Sequence, residues 1–276
     1  MTMPPPPGGL PPQGPMQGRH AVFSEAYAVL PRETMSDITA SLFPGWEGAR
    51  GWVLARPLTG FAETFSEILM ELSPGGGSDR PEEDESAQSA LYVTTGAGRL
   101  TIGEVSHRLA PGHFAWIAPG SAWRIRAAEA AAPLRFLWIR KRWRPAPGLE
   151  PPASFVLHES AVPPASMPGT GGRWMTRRFI EPADLAHDMH VNIVEFAPGT
   201  AIPFPETHVM EHGLFILEGQ GLYLLNRDRV EVKAGDFLWL RAFCPQACVA
   251  MAPGPFRYLL YKDVNRLPRL DGELGR

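Results

Sequence analysis

Three side chains with metal-ligand chemistry lie close together after Pro198-Gly199, in the string TAIPFPETHVMEHGLFILEGQG. Glu206 and His208 are two residues apart, so on an extended strand both point to one face, and His212 has the same parity. Taken singly, each reads as a hydrogen-bonded His or a solvated Glu. Converging inside a barrel, with a fourth ligand from an adjacent strand, they read as a site for a divalent cation. Further on, Tyr258 and Lys262 share parity on a strand expected over 256–262 and face one interior. A Lys turned inward beside a cation holds a substrate carboxylate or carries a proton; the alternative is a surface Lys at a strand end. His20, His107, His113, His158, His187 and His190 have no partner spacing and read as ordinary, and Arg257 and Arg266 are expected to face solvent or an interface.

A barrel that could bring such residues together is written twice in the chain. LYVTTGAGRLTI from Leu91 aligns with LFILEGQGLYLL from Leu214, and LAPGHFAWIAPGSAWRI from Leu109 aligns with VKAGDFLWLRAFCPQAC from Val232, both at an offset of 123. Short strands are expected over 65–72, 90–94, 99–102, 113–117, 123–127, 134–140, 212–217 and 256–262, with turn residues between them, including Pro74-Gly75-Gly76-Gly77. Many short strands with frequent turns predict an all-β fold of two tandem jelly-roll barrels with few short helices. The expected division is a proline-rich disordered tail over 1–20, a first barrel over 21–143, a linker over 144–155 and a second barrel over 156–276. Subtracting 123 puts Glu83, Glu85, Ser89 and Trp123 at the first barrel's counterpart positions. With no imidazole there, and an indole that cannot ligate, that barrel is expected to be metal-free.

The motif from Gly199 through Glu206, His208 and His212 to Gly219, followed by Gly235 leading to Gln246, resembles the two cupin motifs, with acid and His exchanged and the last His replaced by an amide. PETHVMEHGLFILEGQG, Gln246 and the downstream YLLYKDVNR together resemble the (S)-ureidoglycine aminohydrolase family, bicupin enzymes of allantoin breakdown that bind manganese. The resemblance implies Mn2+ held by Glu206, His208, His212 and Gln246, and substrate contacts from Glu206, Gln246, Tyr258, Lys262 and, more weakly, Tyr223. Glu206 and Lys262 would then move the proton as ammonia leaves. The donor types agree with this: two imidazoles and two oxygen donors suit Mn2+ or Fe2+, and no thiolate stands at the ligand positions. Two rival readings are a cupin dioxygenase using Fe(II) and a non-catalytic ligand-binding protein.

Composition narrows the partners. Among 276 residues, 26 Lys and Arg nearly balance 29 Asp and Glu, leaving a net charge of -3 and no basic field for nucleic acid or an anionic membrane. Thirty Pro and 28 Gly oppose a helical bundle. No apolar run reaches a bilayer-spanning length, and Cys244 and Cys248 read as two buried small residues, which suits a reducing, cytoplasmic setting. A small-molecule substrate and a homo-oligomer joined through strand edges complete the expectation.

Overall fold

The computed structural model describes residues 19–130, 132–144, 146–251 and 253–267. The expected tail lies outside these residues up to position 18, but Arg19 already belongs to the fold, donating to Asp236 Oδ2 and Oδ1 at 2.5 and 2.7 Å. The described chain is built of β-strands and four single-turn 3₁₀ segments, with none of its helices long and apolar enough to cross a membrane. The expected all-β bicupin is the fold observed.

In the first half, one nine-stranded sheet wraps around a core that includes Met70, Leu100, Ile125, Leu134 and Phe136. Its spine is Ser66–Ser78, paired with Leu134–Arg142 along one part and with Trp123–Ala127 at Gly77 and Ser78. The expected turn at Pro74-Gly75-Gly76-Gly77 is therefore a bend within a continuous strand. Glycine makes this possible, because a Cβ at Gly77 would lie 2.0 Å from the Ile125 carbonyl oxygen.

The second half is divided differently. An eight-stranded sheet contains His190–Phe196, Phe256–Lys262, His212–Glu218 and Phe237–Leu240, while Gln220–Leu225, Asp228–Lys233 and Gln246–Met251 form a separate three-stranded sheet. Alternate side chains from the two sheets meet in a core that includes Phe196, Ile216, Tyr223, Leu238 and Phe256. The opposite face of the larger sheet, with Val191, Phe215, Leu259 and Tyr261, packs on Trp52, Tyr92, Leu137 and Ile139 of the first half. One apolar cluster thus fastens the halves together.

Two strands cross the expected division. Tyr27–Leu30 pairs with Phe237–Leu240 in the second half's sheet, and Phe155–His158 pairs with His113–Ile117 in the first half's sheet. Each half covers an edge of the other. Those edges would otherwise leave backbone N–H and C=O groups unpaired.

Candidate functional site

The central residues lie at one end of the second barrel, where neighbouring strands are in register. Lys262 is the Cα partner of His212 on one side and of His190 on the other, so these three side chains share one face. That face is the barrel interior, because the same alternation carries Leu214, Ile216, Val194 and Tyr258 into the core. Tyr258 is accordingly buried and Lys262 half-buried, as their parity predicts.

Glu206 and His208 are not on a regular strand, contrary to expectation. Pro203 and Pro205 supply no N–H to a ladder, and the segment 197–211 is irregular apart from isolated bridges. One of these joins Glu206 to Gln246 through reciprocal backbone hydrogen bonds of 2.9 Å. This bridge puts the carboxylate beside the amide even though 40 residues separate them in the chain. His208 is held by its carbonyl, which accepts from the Phe243 N–H at 2.6 Å, and Phe243 has a left-handed φ of 65°. Such a conformation in a bulky residue costs about 1–2 kcal/mol, a strain found where a loop serves a site.

The four expected ligands form two close pairs. Glu206 Oε2 is 3.6 Å from His208 Nε2, and Gln246 Nε2 is 3.4 Å from His212 Nδ1. The His208 and His212 rings meet edge to face with centroids 5.1 Å apart. No three His, Cys, Asp or Glu among the described residues form a ready-made metal cluster. The donor chemistry nevertheless fits a divalent ion: one carboxylate, two imidazoles and one amide, with the two pairs in contact through their imidazoles. Burial, followed by the nearby Lys262 ammonium, holds the His212 imidazole well below its usual range and keeps it neutral. A ligating imidazole must be in that form.

Electrostatics shape the substrate side as well. Burial lowers the Lys262 ammonium and Glu206 pulls it back upward. Burial also raises Tyr258 and Tyr223 well above the ordinary phenol, so both keep their protons. Tyr223 lies fully inside the barrel, its ring centroid 6.4 Å from that of Tyr258.

Several contributors escaped the sequence reading. His190 is 5% exposed, and its Nε2, like Oδ1 of Asn192 on the same face, lacks a hydrogen-bond partner. Two polar residues at alternate positions of HVNIVEF, on the face opposite Glu195, were the available signal. Glu211 is buried and accepts from Glu63 N at 2.9 Å, from Thr64 N and Oγ1 at 2.5 Å and from Trp239 Nε1 at 2.8 Å, tying the residue before His212 to the first half. Lys141 reaches from the first half to Asp263 Oδ1 at 2.6 Å and to the Asp188 carbonyl, bracing the strand ends that carry Lys262 and His190. Arg257 and Arg266 are ion-paired, the former to Glu159 at 3.1 Å and the latter to Asp188 at 3.0 Å. A cleft of about 650 Å³ between the halves, bordered by Arg32, Trp52, Tyr92 and Arg135, contains none of the predicted site residues.

A twofold jelly roll with ligand-type side chains gathered in one repeat defines the cupin class, and a cupin-domain family model matches residues 68–140 and 192–261, once in each half. The chain is 30% identical to the (S)-ureidoglycine aminohydrolase of Escherichia coli (strain K12), over 84% of its own length and 87% of that protein's. It is 31% identical to the (S)-ureidoglycine aminohydrolase of Arabidopsis thaliana, over 83% and 73% of the two lengths. A solved structure described as a putative glyoxylate-induced protein from Pseudomonas aeruginosa is 52% identical, with a TM-score of 0.85 and 98% of both chains covered. The chain belongs to the (S)-ureidoglycine aminohydrolase family, and it is a hydrolase acting on a carbon–nitrogen bond.

Proposed function

We propose that this enzyme hydrolyses (S)-ureidoglycine to (S)-ureidoglycolate and ammonia, within the breakdown of purine-derived allantoin, using Mn2+. The observation that carries this reading is the juxtaposition of Glu206, His208, His212 and Gln246 beside an inward-facing Lys262, in a chain of this family. The substrate bears an amino group, a ureido group and a carboxylate on one carbon. The C–N bond to the amino group breaks, a C–O bond forms with water, and the nitrogen leaves as ammonia.

Glu206, His208, His212 and Gln246 would hold the metal, which supplies Lewis-acid polarisation and a fixed point of attachment. Lys262 binds the substrate carboxylate as an ion pair strengthened by partial burial. Tyr258 and Tyr223, kept protonated, donate hydrogen bonds from the barrel interior. Glu206 is the partly exposed carboxylate at the reacting carbon and moves the proton, with Lys262 as the second carrier. Three fixed contacts distinguish one enantiomer from the other, and orientation is the main contribution to rate. Two buried free cysteines accord with a reducing, cytoplasmic setting, and we read the enzyme as a homo-oligomer.

The test is ammonia release from freshly generated ureidoglycine, with metal analysis, comparing wild type with Gln246→Leu and Lys262→Ala. Both variants are expected to lose most activity, with no oxygen consumed by the wild type. Full activity in both would overturn the assignment.

A further inference from the structure

Unpartnered polar atoms in a protein interior are uncommon, because each costs about 1–3 kcal/mol when no hydrogen bond replaces its water. Several lie on the inner face of one barrel wall: His190 Nε2, Asn192 Oδ1, Thr176 Oγ1 and Trp174 Nε1 are all buried without partners. His190 and Asn192 are two apart on one strand, and Thr176 on the neighbouring strand is the Cα partner of Val194, which continues the same face. Lys262 stands directly across from His190.

The two atoms at the Lys262 end of this wall are acceptors, while the Thr176 hydroxyl and the Trp174 Nε1 donor lie farther along it. The backbone of Pro182, which has no N–H, offers the His190 ring only a carbonyl. The ring therefore donates there through Nδ1, leaving Nε2 as a bare lone pair. Burial holds this imidazole down to about 4, so it is neutral. The unpartnered end of Asn192 is its oxygen.

Resting on the function proposed above, we infer that His190 and Asn192 form the subsite for the ureido group, with Nε2 and Oδ1 accepting its N–H hydrogen bonds. The scale is suitable. Paired residues across antiparallel strands are about 5 Å apart and alternate residues along a strand about 6.5 Å apart. A carboxylate on Lys262 and a ureido group on the same carbon thus span the distance to His190 and Asn192. A ureido group also supplies what this wall lacks, several N–H donors on one planar unit.

The experiment measures, by competition or calorimetry on metal-loaded enzyme, the binding of (S)-ureidoglycolate and of glycolate, which keeps the carboxylate and hydroxyl but has no ureido group. His190→Leu and Asn192→Leu should each weaken ureidoglycolate about tenfold and leave glycolate and metal content unchanged. His190→Gln, whose amide oxygen replaces the acceptor, should recover part of the loss. Equal weakening of both ligands, or of neither, overturns the inference. In case the variants fold poorly, a second measurement uses wild type alone: ureidoglycolate methylated at its ureido nitrogens should bind about tenfold more weakly, and undiminished binding overturns the subsite. Wild-type enzyme that releases no ammonia from ureidoglycine would instead defeat the functional reading, while the ureido dependence of binding would still report on this wall.

Discussion

The two barrels use equivalent stretches of chain in opposite ways. In the first, residues after Leu72 continue as strand to Ser78 and join the two sides of the barrel into one sheet. In the second, strand ends at Phe196, and residues 197–211 become an irregular segment carrying Glu206, His208 and Glu211. The register shows what replaced what. Ser66, Arg140 and Ser89 stand in the first half as His190, Lys262 and His212 stand in the second. Arg140 is neutralised by Glu82, which it grips with two nitrogens, and Ser89 accepts from Trp138 Nε1 at 3.0 Å. The Trp123 and Trp138 rings meet edge to face, with centroids 5.9 Å apart, and fill the interior. The same fold either closes on itself with indoles and an ion pair or leaves polar groups unsatisfied for a ligand. Unsatisfied acceptors are a cost to folding; Glu67 carries two where the halves meet, and inside a barrel they appear on the wall of the half that holds the candidate site.

The largest test of this contrast exchanges matched positions. His212→Ala should lower ammonia release on the order of a thousandfold and reduce bound metal, since it removes a ligand whose ion contributes several kcal/mol to the transition state. Its first-half counterpart, Ser89→Ala, should leave turnover unchanged. Equal losses from the two would erase the functional difference between the halves.

Next in size is the brace between them. Lys141→Ala leaves Asp188, fully buried, without the Nζ that stands 3.1 Å from its carboxylate. Unfolding should become easier by about 3 kcal/mol, measured by denaturant titration. Lys141→Arg should recover little, because its planar fork does not fit an enclosed ammonium site.

Glu67 gives a pH test. It is buried between the halves with neither carboxylate oxygen partnered, and burial raises it to about 8. Because the folded value lies above the unfolded one, its contribution is fully present below the unfolded carboxylate range of roughly 4.3 and is lost as pH rises to about 8. Thermal stability should therefore fall from pH 5 to 9 by on the order of 3 kcal/mol, and Glu67→Gln should flatten that slope. An unchanged slope would show that another group governs it. The smallest effect belongs to the ion pair in the first barrel. Arg140→Ala should cost about 1–2 kcal/mol in stability, by leaving Glu82 enclosed and unpaired, without slowing ammonia release.

Much of this was legible in the sequence because barrel strands announce themselves locally. His113–Ile117, Trp123–Ala127 and Phe256–Lys262 form where alternation and turn residues place them. Tyr258 and Lys262 face inward as parity requires. The irregular path of Glu206 and His208 was hidden because parity presumes a strand, and Pro203 and Pro205 removed it. The role of Glu211 was hidden, since its donors at Glu63, Thr64 and Trp239 come from distant elements. His190 was passed over because its significance depends on Lys262 standing opposite it, a pairing across 72 residues. The same limit hid the destinations of Tyr27–Leu30 and Phe155–His158.

That exchange bears on the order of events at the ribosome. Tyr27–Leu30 is made more than 200 residues before its partner, Phe237–Leu240. At about 5–20 residues per second, this apolar strand, with only Val22–Phe23 to pair with locally, waits on the order of 10–40 seconds for its second neighbour. The first barrel has all its strands once Phe155–His158 is out, so it can close while the opening segment is still free. The pairing of Tyr27–Leu30 with Phe237–Leu240 thus becomes available only after the first barrel has all its strands, and an enzyme molecule missing residues 19–30 would be left with an open edge on its working half.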